Sequence, residues 1–317
     1  MIPGFAKPVH LSFVTLNVIS YKMLNVYQAL KSFPPFSRQL VCRGMLFTNY
    51  DCPQQESKMQ VYVEQSFILF VLSGRRIYHW QGRSWELKQG TCAFVKPGAV
   101  IAERANAEEW CVMVFFVPDD FLLQVVKENQ NLFPDRSFST GEYNEPLIML
   151  GVSEISHACF SSMLPYFTLS PSPPENLVEL KFKELVLSLL INPANTYLVS
   201  YLNALNNKNQ VSLKQVMHNN FSFHLNLEDY AKLSCKSVSS FKREFKKYFD
   251  ESPARWLMKK RLEKAKHLLE DTLLPVTEIS FECGFENPNH FSRVFKEKTG
   301  VSPLQFRQKS KVAVSAH

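Results

Sequence analysis

SFKREFKKYFDESPARW (Ser240 to Trp256) and HFSRVFKEKTGVSPLQF (His290 to Phe306) are one pattern written twice, fifty residues apart. Phe241 aligns with Phe291, Arg243 with Arg293, Phe245 with Phe295, Lys246 with Lys296, and Ser252-Pro253 with Ser302-Pro303. Each copy follows a short apolar-periodic segment and a turn, so the unit reads as helix, turn, helix, with an exposed basic face on its second helix. A basic helix held up by a short helical prop is suited to reading DNA.

Around the repeat the boundaries can be read turn by turn. Asn226 caps a helix from Leu227 to Ser234, and Cys235-Lys236 forms the turn. Ser237 caps the next helix, in which Phe241, Phe245 and Phe249 face inward while Ser239, Lys242, Arg243, Lys246 and Lys247 stay outside. Ser252-Pro253 places an N-cap before a proline at the first helical position and starts a long helix to about Asp271. In the second copy Gly284 supplies the turn, Asn287-Pro288 repeats the cap, and Phe291 and Phe295 are buried. Asn289, His290, Ser292, Arg293 and Lys296 are left facing outward.

The charge lies where the repeat lies. Residues 211 to 317 hold 19 Lys and Arg against 12 Asp and Glu, whereas residues 1 to 210 hold 17 of each. The whole formal excess of +7 therefore sits on the repeated region, where it attracts phosphates through counterion release.

Upstream, residues 37 to 118 read as β structure: apolar runs such as Phe67 to Leu72 and Trp110 to Val117 alternate with turns at Ser73-Gly74, Gln81-Gly82, Gln89-Gly90 and Pro97-Gly98. Strands this short and regular suggest a small barrel. Its turn spacing resembles the cupin fold. Cupin enzymes hold a metal with a His-x-His pair and a further His, and Tyr78-His79-Trp80 and Ile101 do not supply that set. No metal and no cofactor are expected. Tyr62, Phe70, Tyr78, Trp80, Trp85, Phe94 and Phe115 are ligand-pocket candidates, with simple filling of the barrel interior as the alternative.

Residues 119 to 205 read as a helical dimerisation or regulatory segment, with helices at Asp119 to Asn129, Leu147 to Leu164, Glu175 to Ile191 and Thr196 to Leu205. Val178, Phe182, Leu185 and Leu189 form one apolar stripe, covered either by the barrel or by a second copy. The polar run 206 to 210 is the expected linker. Residues 1 to 36 are expected as an extension, with Met23 the natural start and the residues before it a translation artefact or a disordered tail, and 311 to 317 as a tail. The seven cysteines form no C-x-x-C pair and read as reduced thiols of a cytoplasmic protein. No segment approaches the roughly 20 continuous apolar residues of a membrane helix.

From Asn226 to Gln308, R-L-x-x-A-x-x-L-L at Arg261 to Leu269, C-G-F at Cys283 to Phe285, H-F-S-R-x-F-K at His290 to Lys296 and G-V-S-P at Gly300 to Pro303 resemble the AraC/XylS family of bacterial transcription regulators. F-K-R-E-F-K with a cupin-like front domain is similar to the branch represented by ExsA. The resemblance implies an α+β multidomain chain: an N-terminal cupin-like β-barrel with a helical segment, and an all-α domain (211 to 310) of two helix-turn-helix motifs joined by a long helix. It further implies recognition helices in successive major grooves. Family base-contact positions fall at Ser239, Ser240, Lys242 and Arg243, and at Asn289, His290, Ser292 and Arg293; Lys246, Lys247 and Lys296 are phosphate-contact candidates. Expected partners are double-stranded DNA, RNA polymerase, a small-molecule effector or regulatory protein, and a second copy of the chain. The function expected is regulation, with activation the family's commoner habit, rather than catalysis. The alternative is an enzyme, either a DNA alkyl-transfer repair protein or a metal cupin, carrying the same module.

Overall fold

The computed structural model describes residues 23–32, 37–52, 57–105, 109–132, 145–207 and 212–314. Along the front of the chain run β1 (Leu24–Asn25), α1 (Val26–Ser32), β2 (Ser37–Cys42), β3 (Met45–Cys52), β4 (Lys58–Val63), β5 (Phe67–Ser73), β6 (Arg75–Trp80), β7 (Arg83–Lys88), β8 (Cys92–Val95), β9 (Gly98–Arg104) and β10 (Trp110–Phe116). α2 (Asp119–Glu128), β11 (Leu147–Leu150), α3 (Glu154–Met163), α4 (Glu175–Ile191) and α5 (Thr196–Asn207) follow. The strands form two sheets. Sheet A is ordered β1-β4-β9-β6-β7 and sheet B β11-β8-β5-β10-β3-β2, with every pairing antiparallel except β1 on β4.

The two-residue period of a strand sorts the apolar side chains of sheet B into two cores. Leu46, Phe67, Leu69, Val71, Val112, Val114 and Phe116 share one cluster with Val63 and Leu87 of sheet A and Leu30 of α1. Phe47, Ile68, Phe70, Phe94, Met113 and Phe115 point the other way, into a cluster with Phe160, Met163, Phe182, Leu185, Leu189, Leu198 and Leu202 of α3, α4 and α5. A helical layer therefore covers sheet B.

This layering corrects several expectations. Leu147 to Leu150 is a strand paired with β8 rather than helix, because Leu147 and Leu150 are buried and strand pairing satisfies their backbone. Val178, Phe182, Leu185 and Leu189 are at most 3 % exposed, so the apolar stripe of α4 is spent on sheet B and is closed to a second chain. Phe182 stacks near Phe115 and Phe121 at centroid distances of 5.6 and 5.5 Å. Of the expected extension, residues 23–32 are described: Leu30 is buried and Tyr27 meets the Phe116 ring edge-on. Residues 1–22 lie outside the described residues, as does most of the linker, whose first two residues end α5.

The remaining helices are α6 (Leu213–Asn220), α7 (Leu227–Leu233), α8 (Val238–Phe249), α9 (Pro253–Asp271), α10 (Val276–Glu282), α11 (Pro288–Thr299) and α12 (Pro303–Val314). α12 absorbs most of the expected tail. Among the described residues no single helix is long and apolar enough to cross a membrane.

Candidate nucleic-acid interface

α7 and α8 form the first helix-turn-helix, α10 and α11 the second. Local chemistry sets each boundary. The Asn226 side chain accepts from Asp229 N while Asp229 accepts from Asn226 N, a reciprocal capping box that satisfies two orphan donors of α7. The Ser237, Ser252 and Asn287 side chains cap α8, α9 and α11, the last two followed by proline at the first helical position.

The turns follow the same logic by different means. Gly284 closes the second turn at φ +81°, and a Cβ there would meet Ser222 O at 2.9 Å. Its counterpart in the first motif is Cys235, which takes φ +53° despite its side chain. The neighbouring Lys236 pairs with Glu244 of α8 at 2.9 Å, tying the turn to the helix it positions. Both recognition helices then end on a left-handed residue, Asp250 in one and Gly300 in the other.

Phe241 and Phe245 are fully buried in one motif, Phe291 and Phe295 in the other. Trp256, at the start of α9, closes the first cluster against Phe245 and Phe249, and Leu262, Ala265 and Leu269 bury the later turns of α9 in the second. The aromatic rows leave the opposite faces to solvent. Ser239, Lys242, Arg243, Lys246 and Lys247 of α8 are exposed and Ser240 half-buried; Asn289, His290, Arg293 and Lys296 of α11 are exposed and Ser292 half-buried. Neither Arg243 nor Arg293 forms an ion pair among the described residues, and Lys242, Lys246, Lys247 and Lys296 form none either. Each helix thus presents these cations on a packed base, without ion pairs among the described residues.

The seven aromatic pocket candidates do not converge on one cavity. Phe70 stacks on Phe160 at 4.2 Å, Phe115 sits near Phe182 and Phe94 near Tyr201, all beneath the helical layer. Tyr62 and Trp80 serve the contact with the helical domain: Tyr62 donates to Asp229 Oδ1 at 2.7 Å and Trp80 Nε1 to Asn219 O at 3.1 Å. Tyr78 and Trp85 are partly buried in the clusters around them. The sequence could not show this because the face on which a strand aromatic is covered depends on what packs there. A cleft of about 260 Å³ does open between sheet A and the helical domain, edged by Trp80, Arg83, Phe223 and Lys264. In it His79 hydrogen-bonds Ser84 Oγ at 2.8 Å and Glu103 Oε2 at 2.5 Å.

Burial raises the thiols of Cys92 and Cys283 well above the ordinary range, Cys283 to about 12. Desolvation lowers buried Lys96 to about 8, with its ammonium 5.2 Å from the Tyr201 ring centre.

Comparison with known proteins matches residues 66–201 to the ExsA N-terminal regulatory domain and residues 230–309 to a helix-turn-helix domain. The thermoregulatory protein LcrF of Yersinia pestis is 24 % identical over 246 residues, spanning 77 % of this chain and 89 % of that protein. ExsA of Pseudomonas aeruginosa is 26 % identical over 135 residues, 43 % of this chain and 49 % of that protein. Among solved structures, the C-terminal domain of AraT from Geobacillus stearothermophilus is 36 % identical, covering 31 % of this chain and 81 % of that one at a TM-score of 0.30. ToxT from Vibrio cholerae is 13 % identical, covering 83 % and 97 % at 0.38. With a regulatory domain of the ExsA type ahead of two capped, basic helix-turn-helix motifs, the chain belongs to the AraC/XylS family of DNA-binding transcription regulators.

Proposed function

We propose that this regulator is a cytoplasmic activator that places α8 and α11 in successive major grooves of its promoter. One observation carries the reading: two exposed faces whose named cations form no ion pair among the described residues, each built on a buried Phe pair, flank the continuous helix α9. Activation is supported by relatives, among them the virulence regulon transcriptional activator VirF of Yersinia enterocolitica, 24 % identical over 246 residues. An activator of this kind works by engaging RNA polymerase at the promoter.

In this reading Arg243 and Arg293 read guanine through its paired O6 and N7 acceptors, with Ser239, Ser240, Lys242, Asn289, His290 and Ser292 completing the base contacts. Lys246, Lys247 and Lys296 hold phosphates, which positions the protein without selecting sequence. The N-terminal domain, which matches a regulatory domain, takes the controlling signal from a small molecule or a protein partner. A homodimer, if formed through α4, uses the outward side of that helix, where Leu177, Leu180 and Ile191 are exposed.

The test is Arg243→Ala, measured on the selected target duplex and on the same duplex with its guanines substituted. Base reading predicts a loss of about 10- to 100-fold on the target and little further loss on the substituted duplex. Equal losses on both refute it.

A further inference from the structure

The segment 218–225, which ends α6 and leads to α7, touches three bodies at once. A helix leaves its last carbonyls without intrahelical donors, and a buried turn must find partners for its own. Here sheet A supplies the first of them. Gln81 Nε2 donates to His218 O at 3.1 Å, Trp80 Nε1 donates to Asn219 O at 3.1 Å, and Ala99 N donates to the Asn220 side chain at 2.9 Å. His224 N donates back to Gln60 Oε1 at 3.3 Å.

The other carbonyls face the helical domain. Arg261, in the middle of α9, donates from Nε to Phe221 O and from Nη2 to Phe223 O, both at 2.8 Å. Between those two, Ser222 O lies against Gly284, the turn residue of the second motif, closely enough to exclude a Cβ. His224 Nε2 pairs with Glu286, two residues beyond that turn, at 2.8 Å. The planar guanidinium is suited to grip two carbonyls in a fixed relation, which an ammonium is not.

We propose that segment 218–225 is the joint through which sheet A of the regulatory domain sets the placement of the second helix-turn-helix relative to the first, with Arg261 and Trp80 as its positioning residues. The inference rests on the two-groove reading above and adds to it the place where spacing is decided. The carbonyl run cannot shift on sheet A without carrying Arg261, and Arg261 cannot shift without carrying α9.

The test uses the full chain and a duplex that it selects from a random pool. Three further probes are that duplex with one half scrambled and with one or two base pairs inserted between the halves. The variants are Arg261→Lys and Trp80→Phe; the latter keeps a smaller ring against Asn219 and removes the indole donor, so it serves even where Arg261→Lys lowers the melting temperature. Wild type is expected to disfavour the one-base-pair insertion by about tenfold. The variants are expected to reduce that preference to about threefold or less, while binding the half-scrambled duplex as wild type does. Unchanged spacing preference in Trp80→Phe, or an equal loss on every probe, overturns the joint while leaving the two-groove reading intact. Wild type that binds the intact and half-scrambled duplexes equally removes both.

Discussion

Lys96 is the side chain whose setting is least apparent from its neighbours in sequence. It is 7 % exposed, and desolvation lowers its pKa to about 8 from an ordinary value near 10.5. Between those two values the unfolded chain binds a proton that the folded chain has released, so stability increases with pH across that window. A shift of this size is on the order of 2 to 3 kcal/mol. Lys96→Met is therefore expected to lack this gain: comparing thermal or denaturant unfolding of both proteins at pH 7.5 and pH 10, wild type gains on the variant as pH rises. A constant difference would place the charge in water. The exposed cations of α8 and α11, by contrast, were legible from spacing alone. A helix whose every fourth residue is Phe has only one face left to show, and Arg243 and Arg293 stand on it.

At the scale of elements, α4 separates what periodicity tells from what it leaves out. The stripe Val178, Phe182, Leu185 and Leu189 announces a buried face, yet one sequence says nothing about which surface buries it. Sheet B does so, with Phe182 between Phe47, Phe115 and Phe121. Phe182→Ala is expected to lower stability by about 3 to 5 kcal/mol in urea titration, the range for emptying a packed aromatic site. Leu180 is 64 % exposed on the other side, and Leu180→Asp is expected to leave stability within about 0.5 kcal/mol. Should α4 pair with its copy, sedimentation of Leu180→Asp shows a shift toward monomer; an unchanged distribution removes α4 from any dimer interface. The strand β11 was missed for a related reason. Leu147 to Leu150 is a short apolar run with no alternation, and only its pairing with β8 distinguishes strand from helix.

Across the whole molecule the decisive dimension is the length of α9. Its 19 residues span about 28 Å, shorter than the roughly 34 Å between successive major grooves. A packed helix does not stretch, so DNA engaged by both motifs is expected to bend toward the protein, which end-labelled duplexes report as a shorter end-to-end distance on binding. A straight duplex in the complex would mean that only one motif reaches the bases. The duplicated motif, its caps, its basic faces and the charge division at about residue 210 were all determined by the sequence, because caps and faces depend on residues within a turn or two of one another, and the repeat and the charge balance are properties of residue identity alone. The covering of sheet B by α3 to α5, the use of Tyr62 and Trp80 against the DNA-binding domain, and the gathering of three bodies on segment 218–225 were decided only by tertiary structure. Those contacts join residues far apart in sequence, 38 positions for Arg261 and Phe223 and 167 for Tyr62 and Asp229, and burial on a particular partner leaves no periodic trace in the chain.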